Sequence, residues 1–193
     1  MLSVGPGDHA VAFYQERELA GLVGEFLQPA IASGGAAVLV ATPEHRSEIN
    51  SWLSEAGVDV AGAWADGSYV VLDARETMSQ FIINGQPDAA AFWETISPVL
   101  AAVGKPATSK QAPARVFGEM VAVLWESGLL DAAIEVEALW NEIGSQYPFG
   151  LLCAYPATVM TEERHSDSVA QICCAHSAVI GAPAGSGETW LPG

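Results

Sequence analysis

The stretch Ala114–Pro156 constrains the fold more than any other part of this 193-residue chain. It opens with a short apolar run, Arg115-Val-Phe-Gly-Glu119, that ends on a carboxylate. A long helical pattern follows, with Leu130, Ile134, Val136, Leu139, Trp140 and Ile143 spaced by threes and fours. Asp131, Glu135, Glu137 and Glu142 are assigned mostly to the opposite, solvent-facing side. Pro148 and Gly150 punctuate the exit, and Leu151–Tyr155 reads as a fully buried strand. A strand–helix–strand unit of this kind lays two parallel strands together through a right-handed crossover.

The same alternation runs through the rest of the chain. His9–Tyr14 is a first strand, followed by a helix with Leu19, Leu22, Val23, Phe26, Leu27, Ala30 and Ile31 on one stripe. Gly34-Gly35 ends that helix, and Ala36–Ala41 is a second buried strand. Thr42-Pro43 supplies an N-cap and a proline at the first helical position. Tyr69–Asp73 is a third strand ending in an acid, and Ala74–Ile83 a short helix. Asn84–Asp88 is a turn whose last residue caps a helix carrying Phe92, Trp93, Ile96, Val99, Leu100 and Val103, kinked at Pro98. Gly104–Pro113 is a polar loop, and Glu162–Ile180 a terminal helix. The order predicts one three-layer αβα domain over residues 1–180, with a mostly parallel sheet of five or more strands. Residues 181–193, rich in Gly, Ala and Pro, read as a flexible tail.

Charge removes several function classes. The formal charge is -16, with seven Lys plus Arg that do not cluster. Phosphate contacts need clustered cations, so neither nucleic acid nor an anionic membrane surface is expected as a partner. The acidity reads as solubility, or as a face that recruits a basic partner. No apolar run reaches the roughly 18 residues of a membrane span, and the N-terminus lacks a signal-peptide pattern. Three cysteines, Cys153, Cys173 and Cys174, make no disulfide framework. A cytoplasmic protein with reduced thiols is expected.

The nucleotide motifs of this fold class are missing. A phosphate-binding loop needs G-x-x-x-x-G-K-[ST] after the first strand, and here Tyr14-Gln-Glu-Arg-Glu-Leu follows it. No G-x-G-x-x-G follows any strand, and no G-x-S-x-G elbow exists. No enzymatic activity and no cofactor is expected.

Ligands of open parallel sheets collect at the carboxyl ends of the strands. The residues there are Tyr14, Thr42, Asp73, Glu119 and Tyr155, which offer carboxylates, phenols and a hydroxyl to a small ligand. Glu119 reads equally as the cap of the next helix, and both tyrosines as core-edge packing. His9 starts its strand, about 17 Å from the carboxyl edge, so it does not easily join that site. His176 sits on an apolar helical face, where a satisfied core histidine is the plain reading. Arg115 also begins its strand and needs a carboxylate partner. His9, Cys153, Cys173 or Cys174, and His176 have the chemistry of a mixed thiolate–imidazole metal site, but their spacing does not demand one, and no metal is expected.

Several short motifs carry a family resemblance: Asp8-His9 with Phe13-Tyr14, Asp73 with Asn84-Gly-Gln-Pro-Asp88, Arg115-Val-Phe-Gly-Glu119, Leu139-Trp-Asn-Glu142, Leu152-Cys-Ala-Tyr155 and Ile172-Cys-Cys-Ala-His-Ser177. In their order and spacing, over about residues 8–180, the chain resembles the MEDS family, the methanogen/methylotroph sensory domains. The resemblance implies a RecA/KaiC-like fold that lacks the Walker A loop. It implies a sensory role toward small organic compounds such as hydrocarbon derivatives, often alongside kinase or transcription-regulator modules. The chain has no room for an output domain, which points to a separate regulatory partner or a homo-oligomer. The candidate ligand-binding set is Tyr14, Asp73, Glu119 and Tyr155, with His9, Arg115, Cys153 and His176 beside them. The alternatives are an enzyme using Asp73 and Glu119 as acid and base, and a protein-interaction module.

Overall fold

Residues 4–103, 114–161 and 166–181 are described by the structure, a computed structural model. The expected loop at 104–113 and the tail from 182 onward lie outside these residues. The chain runs β1 (His9–Tyr14), α1 (Leu19–Ala32), β2 (Ala37–Ala41), α2 (Pro43–Glu55), α3 (Val60–Ala65), β3 (Tyr69–Asp73) and α4 (Ala74–Met78). A hairpin of β4 (Ile82–Ile83) and β5 (Gln86–Pro87) leads to α5 (Ala89–Val103). Then come β6 (Ala114–Gly118), α6 (Met120–Glu126), α7 (Leu130–Gly144), β7 (Phe149–Pro156), α8 (Ser166–Ala175) and β8 (Ala178–Ile180).

Six strands form one sheet in the order β3-β2-β6-β7-β1-β8, and every pair is parallel. Parallel strands buried on both faces read as unbroken apolar runs, which is why His9–Tyr14 and Phe149–Tyr155 are buried throughout. One core lies between the sheet and α1, α2 and α3, and the other between the sheet and α4 through α8. The architecture is three-layer α/β. Strand alternation sorts the side chains: Leu151, Cys153 and Tyr155 of β7 enter the second core, Leu152 and Ala154 the first. On β1, Val11 and Phe13 face the second core, whereas Ala10, Ala12 and Tyr14 face the first.

Three local expectations change. The helix expected over 74–83 ends at Met78, because Asn84 (φ 53°) and Gly85 (φ 79°) form a tight turn that pairs Ile82-Ile83 antiparallel with Gln86-Pro87. The long helical pattern after Glu119 is two helices, parted at Gly128, whose φ of 77° favours glycine. The terminal helix stops at Ala175, and Ala178–Ile180 instead extend the sheet against Ala10–Ala12 as a sixth strand. Val179 and Ile180 are therefore strand residues. Among the described residues, no helix is long and apolar enough to cross a membrane.

Candidate functional site

The residues expected at the carboxyl edge separate into distinct groups. Glu119, one residue past β6 and buried, accepts from the Thr42 backbone N–H at 2.7 Å and meets His45 Nδ1 at 2.5 Å. It ties the end of β6 to the start of α2. Asp73 caps α4 by accepting from the N–H groups of Arg75 and Glu76, and pairs with Arg46 at 3.3 Å. Tyr14 points into the core under α1, and Tyr155 into the core under α7, on opposite faces of the sheet. Glu119 and Tyr155 do end neighbouring parallel strands, but their side chains join different partners. Arg115, at the other end of β6, donates to the Phe26 carbonyl at 2.5 Å and lies over the Phe26 ring at 5.2 Å, where a carboxylate was expected. A groove of about 580 Å³ between α1 and α3, lined by Gln28, Ile31, Val58, Asp59, Gly62 and Asp66 among others, contains none of the expected site residues.

A second set does converge. His9 on β1, Glu137 on α7, Cys153 on β7 and His176 just after α8 are all buried, and one ligating atom of each lies within 4.8 Å of the others. His9 Nε2 is 3.3 Å from both Cys153 Sγ and Glu137 Oε2, and His176 Nε2 is 3.4 Å from the same Glu137 oxygen. The two imidazole centroids are 4.0 Å apart. The other Glu137 oxygen accepts a hydrogen bond from the Tyr155 phenol at 2.8 Å.

Each ring is held from behind. Asn141 donates its amide to the Ala175 carbonyl at 2.9 Å, so its oxygen is the atom 2.9 Å from His9 Nδ1. His176 Nδ1 lies 2.6 Å from the Ile172 carbonyl, one helical turn back. Both acceptors are carbonyl oxygens, so both Nδ1 atoms carry the hydrogen. In their neutral forms both rings then aim the Nε2 lone pair into the cluster. The buried atoms Glu137 Oε2 and His176 Nε2 have no hydrogen-bond partner among the described residues. Facing lone pairs of this kind require an imidazolium proton or a cation between them.

The electrostatics agree. Burial alone would raise the Glu137 carboxyl, but His176 and His9 outweigh it and hold it well below the usual carboxylate range. Burial disfavours the His176 imidazolium, yet the Glu137 carboxylate and the Ile172 carbonyl outweigh it and raise its value. Burial, then the Glu137 carboxylate, pushes the Cys153 thiol well above its ordinary range.

His9, Cys153, Tyr155 and His176 of the expected set are thus brought together, and Tyr14, Asp73, Arg115 and Glu119 are not. His9 does stand far from the carboxyl edge; the centre forms on the face of the sheet instead. Cys173 and Cys174 lie outside the cluster, half-buried and exposed respectively. Glu137 and Asn141 are the residues that sequence reasoning missed. Glu137 was assigned to the solvent side of α7 but is wholly buried. The signal was present: it follows Ala133 by four and precedes Trp140 by three, so it sits on an apolar stripe.

Fold and site together define a three-layer α/β domain with a buried imidazole–carboxylate–thiol centre. The sequence profile described as "MEthanogen/methylotroph, DcmR Sensory domain" matches residues 8–177, and the chain belongs to this MEDS family. No curated protein matches the chain. The structure is similar to an uncharacterized protein, PH0321, from Pyrococcus horikoshii, solved with an unknown peptide. That likeness has a TM-score of 0.65 at 12% identity and covers 96% of this chain and 81% of that one. Another Pyrococcus horikoshii structure, PH0250, has a TM-score of 0.49 at 12% identity, covering 93% and 84%. At these identities the first likeness speaks for the fold alone.

Proposed function

We propose that this chain is a non-enzymatic, cytoplasmic sensory module for a small effector, with His9, Glu137, Cys153 and His176 as its responsive centre. One observation carries the reading: a wholly buried carboxylate, two imidazoles and a thiol converge on one point under α7 and α8. A buried cluster of titratable and ligating groups with shifted pKa values is where a functional site is looked for first. Family membership supports the sensory role. The effector class is a small organic compound such as a hydrocarbon derivative, and the signal leaves through a regulatory protein partner or a homo-oligomer. The structural partners of Asp73 and Glu119 argue against acid–base catalysis by that pair. A buried free thiol suits a reducing compartment.

A thermal-shift screen of small organic compounds on the wild-type chain and on Glu137→Gln tests this. The expected result is stabilisation by one compound class that the variant loses. Stabilisation by none of the classes, or an equal response in the variant, overturns the reading.

A further inference from the structure

The facing lone pairs of the centre need a positive charge between them. We propose that His9 Nε2, Glu137 Oε2, Cys153 Sγ and His176 Nε2 form a tetrahedral site for a zinc-class divalent cation. This rests on the same four side chains as the sensory reading, and names the group they bind.

The geometry fits such an ion. A tetrahedron with metal–ligand bonds of 2.0–2.3 Å has donor–donor edges of about 3.3–3.8 Å. Three edges here measure 3.3, 3.3 and 3.4 Å, and the longest separation stays within 4.8 Å. The donor set of two nitrogens, one sulfur and one carboxylate oxygen suits zinc, cobalt or iron and is wrong for magnesium or calcium, which want oxygen ligands. The outer partners are those a ligated histidine requires. Asn141 and the Ile172 carbonyl hold the Nδ1 hydrogens and leave Nε2 free, and Tyr155 occupies the Glu137 oxygen that the ion does not need.

Charge closes as well. One carboxylate, one thiolate and two neutral imidazoles around a divalent ion sum to zero, so the buried centre carries no net charge. Binding replaces the Cys153 S–H bond by a sulfur–metal bond, and that proton is released to solvent together with the imidazolium proton that otherwise stands between Glu137 and His176. Four protein donors fill the tetrahedron and leave no open position, which is the pattern of a fastening site. The ligands come from β1, α7, β7 and the turn after α8. An ion would therefore clamp α8 and β8, the latter held by only three residue pairs, onto the sheet. Metal occupancy then sets how firmly this terminal segment is seated.

Metal analysis of the purified 193-residue chain by emission spectrometry, after dialysis with zinc, tests the proposal. About one equivalent per chain is expected. Chelation should lower the melting midpoint, and zinc should restore it. Cobalt in place of zinc should give a near-ultraviolet thiolate-to-cobalt charge-transfer band, lost in Cys153→Ser and kept in Cys173→Ser and Cys174→Ser. Substoichiometric metal, a melting midpoint indifferent to chelation, or a charge-transfer band that survives in Cys153→Ser overturns the site. The wild-type arms decide even if Cys153→Ser does not fold. An effector response in wild-type protein that takes up no zinc on dialysis overturns the ion and spares the sensory reading. Stoichiometric zinc with no effector response does the reverse.

Discussion

Tyr155 on β7 donates its phenol to Glu137 Oε1 on α7 across 2.8 Å, with both residues fully buried. Burial and then the neighbouring carboxylate keep that phenol neutral and able to donate. Phe13 stacks on the ring at 6.2 Å and Trp125 meets it edge-on at 5.8 Å, so phenylalanine would preserve the packing. Tyr155→Phe removes the hydroxyl alone and leaves a buried carboxylate oxygen without its donor. The expected loss is about 1–3 kcal/mol of unfolding free energy. Urea denaturation measures it, and a change below about 0.5 kcal/mol would mean that the bond contributes little.

Asn141 joins two elements through one side chain, orienting His9 and receiving the end of α8 at Ala175. It touches no ligating atom of the proposed ion. Asn141→Leu should leave the chain folded but free the His9 ring. Zinc affinity should fall by about 10–100-fold, the usual effect of losing a residue that orients a metal-binding histidine. Competition with a chelating dye reads this directly, and unchanged affinity would show that His9 is held by other means.

Glu119 separates the edge reading from the buried-centre reading. Its carboxylate receives the Thr42 N–H at 2.7 Å and the Thr42 hydroxyl at 3.4 Å. Glu119→Ala leaves that buried N–H without its acceptor, at a cost of about 1–3 kcal/mol. Effector and zinc responses should persist in the folded variant. A variant of near-normal stability that loses the effector response would return the site to the carboxyl edge.

Tyr69 predicts an alkaline limit. Burial raises its phenol well above the ordinary value of 10.0, and its hydroxyl donates to Asn50 Oδ1 at 2.9 Å. The folded chain therefore holds this proton more tightly than the unfolded one. The associated stability is fully present below about pH 10 and is lost progressively as pH rises toward the folded-state value. Tyr155 is displaced in the same direction. Denaturation midpoints measured on both sides of pH 10 should fall with alkalinity, and less steeply in Tyr69→Phe. Identical slopes in the two proteins would show that Tyr69 ionises alike folded and unfolded.

The architecture was legible because its signals are local. Apolar runs such as Ala37–Ala41 and stripes such as Leu19–Phe26 carry the strand and helix periods within a few residues. The absence of a phosphate loop after Tyr14 was equally plain. Ala178–Ile180 escaped because three residues beside a helix carry no distinct period, and only pairing with Ala10–Ala12 makes them a strand.

The buried centre is different in kind. The sequence alone determined that His9, Cys153, Tyr155 and His176 belong to apolar segments, and that Cys153 faces away from Leu152 and Ala154. Their meeting was decided by tertiary structure. The β1–β7 register sets His9 opposite Leu151, on the same face as Cys153, and α7 crosses that face to bring Glu137 over them. The chain then returns through α8 to deliver His176. Positions 9, 137, 153 and 176 share no local period. Strand order and crossover geometry, which depend on every segment at once, turned four scattered side chains into one site.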